Sequence, residues 1–149
     1  LLVGAFGLIG VYNVLGGNQF VKNAVAGLPF APIFVVITML LILFVLGMFL
    51  DWIGICVLTM PVFVPVIVSL GFDPVWFGIL FTMNMQMSYL TPPFGPAAFY
   101  LKSVAPPDMT LQEIFGAVWP WIGMQALGLT ILLLFPRIAL WLPSVVYGR

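Results

Sequence analysis

Long apolar runs separated by short polar or proline-rich stretches set the pattern of this chain. Leu1 to Leu15 is mostly apolar but short, and Gly16, Gly17, Asn18 and Gln19 follow it, with Lys22 and Asn23 just beyond. Residues 1–27 therefore read as the end of a transmembrane helix and an interfacial loop. Pro29 and Pro32 open the next run, and proline suits the first turn of a helix, where its missing N–H is not needed. No charge falls between Ile33 and Leu50, Asp51 stands alone, and none falls between Trp52 and Leu70, although Pro61 and Pro65 interrupt that second run. Two apolar arms joined by almost nothing polar predict a helical hairpin over residues 28–72. Gly71-Phe72-Asp73-Pro74 is a turn signal. From Val75 to Leu101 the flanks are apolar enough for one span of about 27 residues, against the ~20 that a bilayer core requires. Thr91-Pro92-Pro93-Phe94-Gly95-Pro96 breaks it, so residues 73–104 read as a discontinuous transmembrane helix. Residues 105–149 begin with the loop Ala105-Pro106-Pro107-Asp108 and a capping box from Thr110 to Glu113. An amphipathic helix at Leu111–Trp119 and a final span at Ile122–Leu142 are expected there, with Arg137 snorkelling to the interface.

Composition turns this pattern into a membrane protein. Of 149 residues, 64% are hydrophobic and 5% are charged, where soluble domains carry roughly 25% charged residues. Continuous rather than alternating apolar runs argue for helices over a β-barrel. Trp119, Trp121, Trp141 and Tyr147 suit the aromatic belts at the membrane surface. A formal net charge of zero leaves no basic face for nucleic acid. Histidine is absent and Cys56 is the single cysteine, so neither a disulfide framework nor a histidine metal site is expected. No nucleophile–base pair stands out, and an enzyme is not expected. The chain opens at Leu1 without a basic n-region, so a signal peptide is not expected, and it reads as part of a longer protein.

Chemistry is expected where simple spanning helices fail, because non-helical backbone and ionisable groups at membrane depth survive only for a reason. The first such place is Gly47-Met48-Phe49-Leu50-Asp51. With one polar side chain, it suits the buried tip of a re-entrant hairpin; the alternative is a tight interfacial turn between two complete spans. The second is Thr91–Pro96, whose prolines cannot donate N–H groups and leave carbonyls free. Free carbonyls are ligands for a small hard cation, and discontinuous helices build substrate and Na⁺ sites in secondary transporters. The alternative is a proline-rich surface loop between two short helices. Asn84 and Ser88 are four apart on one helix face; together with Thr91 they are candidate substrate contacts, or interhelical hydrogen bonds. Gln86 lies beside them. Gly47, Asp51, Thr91, Pro92 and Gly95 are the candidate Na⁺ ligands, mostly through backbone carbonyls. Asp51 could also cap the second arm.

The stretches GMFLD, MPVFVP, GFDPVWFGI and LTPPFG, in this order between Gly47 and Gly95, resemble the C-terminal half of the large membrane subunit of TRAP transporters, the tripartite ATP-independent periplasmic transporters. That resemblance implies an all-α membrane protein of elevator type in the ion transporter superfamily, with this chain as the second inverted repeat. It implies a Na⁺-coupled permease in the bacterial inner membrane that imports organic acids, with no cofactor beyond the coupling ion. Its partners would be a small TRAP membrane subunit, a periplasmic substrate-binding protein and membrane lipid. Two other readings remain: a non-transporting membrane scaffold, and a divalent-anion/Na⁺ symporter that works without a binding protein.

Overall fold

A computed structural model describes residues 31–92 and 95–148 continuously, with scattered positions among the first 23. Asn18, Lys22, the first residues of the hairpin and the pair 93–94 lie outside the described residues; of the expected interfacial loop, Gly16 lies in a turn, whereas Gly17, Gln19 and Asn23 are helical. Six helices follow residue 31: α1 (Pro32–Phe49), α2 (Trp52–Ser69), α3 (Pro74–Leu90), α4 (Pro96–Val104), α5 (Leu111–Leu134) and α6 (Pro136–Tyr147). Four of them, α1, α3, α4 and α6, begin on a proline. The hairpin is present, and only Leu50 and Asp51 separate its arms. Asp51 caps α2 by accepting from the Ile53 N–H at 3.0 Å. At the other end Gly71 adopts φ +83°, and Asp73 caps α3 by accepting from Val75 N–H at 2.7 Å.

Helix α3 is the centre of the packing, in contact with each of the other five. Its partners run in defined directions. Leu40 meets Asn84 and Gly47 meets Ser88, so α1 lies parallel to α3. Phe63 meets Phe77 at a ring separation of 6.5 Å and Asp51 meets Tyr89, so α2 is antiparallel to α3. Trp76 meets Leu132 and Met83 meets Gly128, so α5 is antiparallel to α3 as well. The hairpin tip and the C-terminal end of α3 therefore share one end of the bundle. Val36 and Leu43 of α1, Ile55 and Ile67 of α2, and Phe77 and Leu80 of α3 fill the core between the three helices.

Three described helices, α1, α2 and α5, are long and apolar enough to cross a membrane. At 18 residues each hairpin arm is about 27 Å long, close to the ~30 Å of the hydrocarbon core. The C-terminal organisation differs from the sequence expectation. The piece at Leu111–Trp119 and the first half of the expected final span form one helix, which continues through Pro120 and stops at Leu134. The expected span to Leu142 is cut at Pro136, which opens α6 instead. The reason is the competition at each proline: Pro120 costs α5 one hydrogen bond early in a long apolar run. At Pro136 the Leu132 carbonyl that loses its i+4 donor is taken up by the Trp76 indole N–H at 2.8 Å.

Candidate functional site

The site is built where the hairpin tip meets the end of α3. Gly47 is buried, and a Cβ placed on it would lie 2.2 Å from Ser88 Oγ and 2.9 Å from Ser88 Cβ. Only glycine lets α1 approach α3 this closely, a small-residue contact of the kind that binds membrane helices in the absence of a hydrophobic driving force. Met48 is partly covered, whereas Phe49, Leu50 and Asp51 are exposed in the described chain. The expected burial of the whole tip is thus met only on the Gly47 side, because α3 covers that side alone. Asp51 uses both oxygens: Oδ2 accepts the cap bond from Ile53, and Oδ1 accepts from the Tyr89 hydroxyl at 3.1 Å. The Trp52 backbone N–H also faces that hydroxyl.

The helix after Asp73 ends where the prolines demand it. Helix α3 ends at Leu90 and α4 begins at Pro96. Ordinarily the Ser88 and Tyr89 carbonyls would accept from residues 92 and 93, but both are proline and have no N–H. Ser88 O instead accepts from Thr91 N at 3.2 Å, and Thr91 O from Gly95 N at 3.1 Å. Thr91 is buried and donates its hydroxyl to Met87 O at 2.7 Å. A Cβ on Gly95 would stand 3.1 Å from the Leu90 carbonyl and 3.0 Å from the Phe115 ring, so the chain doubles back tightly between α3 and α5.

The candidate residues therefore divide. Gly47 and Ser88 touch, Asp51 reaches Tyr89 two residues before Thr91, and Thr91 and Gly95 are joined. Asn84 stands apart: its Nδ2 donates to Leu40 O at 3.0 Å in the buried seam, the interhelical bond that its position also allowed. Ser88 is fully buried and donates to Met85 O at 2.9 Å. No group of three or more carboxylate, histidine or cysteine side chains gathers among the described residues, so a cation here would depend on carbonyls and hydroxyls with at most one carboxylate. Tyr89 was not singled out from the sequence, though its place two residues before the Thr-Pro-Pro break marks it. Gln125 was also missed; its signal is a lone amide midway along an apolar helix.

Comparison with known proteins decides the family. The profile of the tripartite ATP-independent periplasmic transporter, DctM component, matches residues 1–138. The chain belongs to the DctM family. Its relatives include the C4-dicarboxylate TRAP transporter large permease DctM of Vibrio cholerae, 32% identical over 130 residues, which are 87% of this chain and 28% of the relative. The ectoine large permease TeaC of Halomonas elongata is 34% identical over 87% of this chain and 30% of the relative. The sialic acid large permease SiaM of Vibrio cholerae is 30% identical over 78% of this chain and 27% of the relative. The chain thus spans less than a third of the length of these permeases. DctM members are transporter components rather than enzymes, and with its apolar helices this chain is an integral inner-membrane protein.

Proposed function

We propose that this DctM chain supplies the second inverted repeat of the large permease subunit in a Na⁺-coupled, elevator-type transporter. The cargo is a small organic acid handed over by a periplasmic binding protein, and a small membrane subunit and lipid complete the assembly. The observation that carries this reading is the meeting of hairpin tip and helix break at one end of α3, through Gly47 on Ser88 and Tyr89 on Asp51. A scaffold has no use for a broken helix laid against a hairpin tip. In this reading the hairpin is re-entrant, and Na⁺ sits between tip and break. Backbone carbonyls of Gly47, Pro92 and Gly95 supply most of its ligands, with the Thr91 hydroxyl and one Asp51 oxygen. A carboxylate oxygen that accepts from Tyr89 keeps a lone pair for an ion. Thr91 would also face the substrate, while Asn84 and Ser88 hold α1 against α3. No other cofactor is proposed.

The test is uptake by the full-length permease, reconstituted with its partner subunit and binding protein, comparing wild type with Asp51→Asn. Asparagine keeps its oxygen for the cap on Ile53 N–H, turns an amide N–H to the Tyr89 hydroxyl, which can accept it, and removes the charge. The Na⁺ concentration for half-maximal uptake should rise at least about tenfold. An unchanged Na⁺ dependence rules out Asp51 as a charged ligand, and full-rate uptake without Na⁺ overturns the coupling itself.

A further inference from the structure

Beside Tyr89, side chains of α2, α3 and α5 line an open pocket of about 520 Å³. Its size and make-up, apolar walls with a few polar groups, are those of a small-molecule site. Trp52, Phe81 and Met85 give the apolar wall, and Gln86, Tyr89 and Gln125 bring the polar atoms. Thr82 also lines it, but its hydroxyl is spent on Gly78 O at 2.9 Å. Gln125 Oε1 is buried and has no hydrogen-bond partner among the described residues. Buried acceptors are nearly always paired, so this one calls for a donor. Gln125 itself lines the pocket, so a solute there is within reach of its amide.

Asp51 sets the charge. It is bonded to one lining residue, Tyr89, and adjacent in sequence to another, Trp52. None of the lining residues is cationic. Aromatic faces beside an acidic group favour cations and N–H donors over anions. We infer that this cavity receives the N–H-bearing end of a small solute, neutral or positively charged, with Gln125 and Gln86 as its hydrogen-bond partners. A carboxylate on the same solute would point away from this cavity. That the solute is the transported cargo rests on the function proposed above.

The cavity can be probed without transport. In the full-length permease, in Na⁺-free proteoliposomes so that Asp51 holds no ion, and with all other cysteines removed, Gln125→Cys is exposed to two water-soluble methanethiosulfonates of similar size, one carrying a trimethylammonium and the other a sulfonate. Each rate is normalised to that reagent's reaction with a free thiol. Leu127→Cys, on the exposed face of α5, is the reference. Labelling at position 125 should be at least about tenfold faster than at 127, because a charged reagent enters hydrocarbon only at high cost. The cation should be favoured by about threefold or more, as expected for one partly screened carboxylate nearby, and Asp51→Asn should erase that preference. Labelling no faster than at 127 overturns the site, and means that an acyl chain or another part of the protein fills the cavity. A preference for the sulfonate overturns the proposed solute class. If Gln125→Cys fails to fold, Gln86→Cys reads the same cavity. A permease that labels as described but does not take up solute keeps this site and loses the transporter reading; uptake without labelling does the reverse.

Discussion

Gly47 shows how much can rest on a missing side chain. Its Cα packs on Ser88 so closely that a methyl group would overlap both Oγ and Cβ. Backbone on α1 cannot yield locally, because Asn84 ties Leu40 to α3 two turns earlier. Gly47→Ala should therefore destabilise the bundle by about 1–3 kcal/mol, the usual cost of overpacking. Adding Ser88→Gly should recover most of that loss, since the two sites share one contact and their effects will not add. Thermal unfolding of the purified permease in detergent checks both; a double variant no better than the single one would mean that the strain lies elsewhere.

Among the elements, the hydrogen bonds that join helices are placed by proline. Pro136 ends α5 and starts α6, and its missing N–H releases the Leu132 carbonyl to accept from buried Trp76. Trp76→Phe should leave that carbonyl without a partner, at about 1–3 kcal/mol. Pro136→Ala in the same chain should restore an N–H to the carbonyl and relieve part of the loss. Unfolding midpoints of the two single variants and the double variant test this, and strict additivity would show that the carbonyl was not shared. The Thr91–Gly95 break follows the same rule: Pro92 and Pro93 withdraw donors from Ser88 and Tyr89, and the chain turns at that point rather than in the apolar stretches on either side.

At the scale of the molecule, α3 is wrapped by the hairpin on one side and by α5 on the other, leaving much of the outer surface apolar. Leu41, Leu127, Leu134 and Leu142 are all exposed in the described chain. Such a surface belongs in hydrocarbon or against other parts of the permease. Expressed by itself, the chain should stay in the membrane pellet through an alkaline carbonate wash, read by immunoblot. Its recovery in the supernatant would contradict the integral-membrane assignment.

Much of this was legible in the sequence, for reasons that act locally. Proline lacks an N–H wherever it stands, so the break after Leu90 and the helix starts at Pro32, Pro74 and Pro96 could be read from single residues. Charge-free runs marked the hairpin arms, and Asp51 announced its cap, whereas Asp73 read only as part of a turn and its cap on α3 came from the structure. The boundary at Pro136 was not legible, because Pro120 and Pro136 look alike along the chain. Only the position of Trp76, 60 residues earlier, gave the second proline a partner for the freed carbonyl. The pairing of Gly47 with Ser88, the use of Asn84 as a tie to Leu40, and the contact of Tyr89 with Asp51 also depended on tertiary structure. Each joins residues about 40 apart in sequence, and which polar groups meet is decided by how the helices cross.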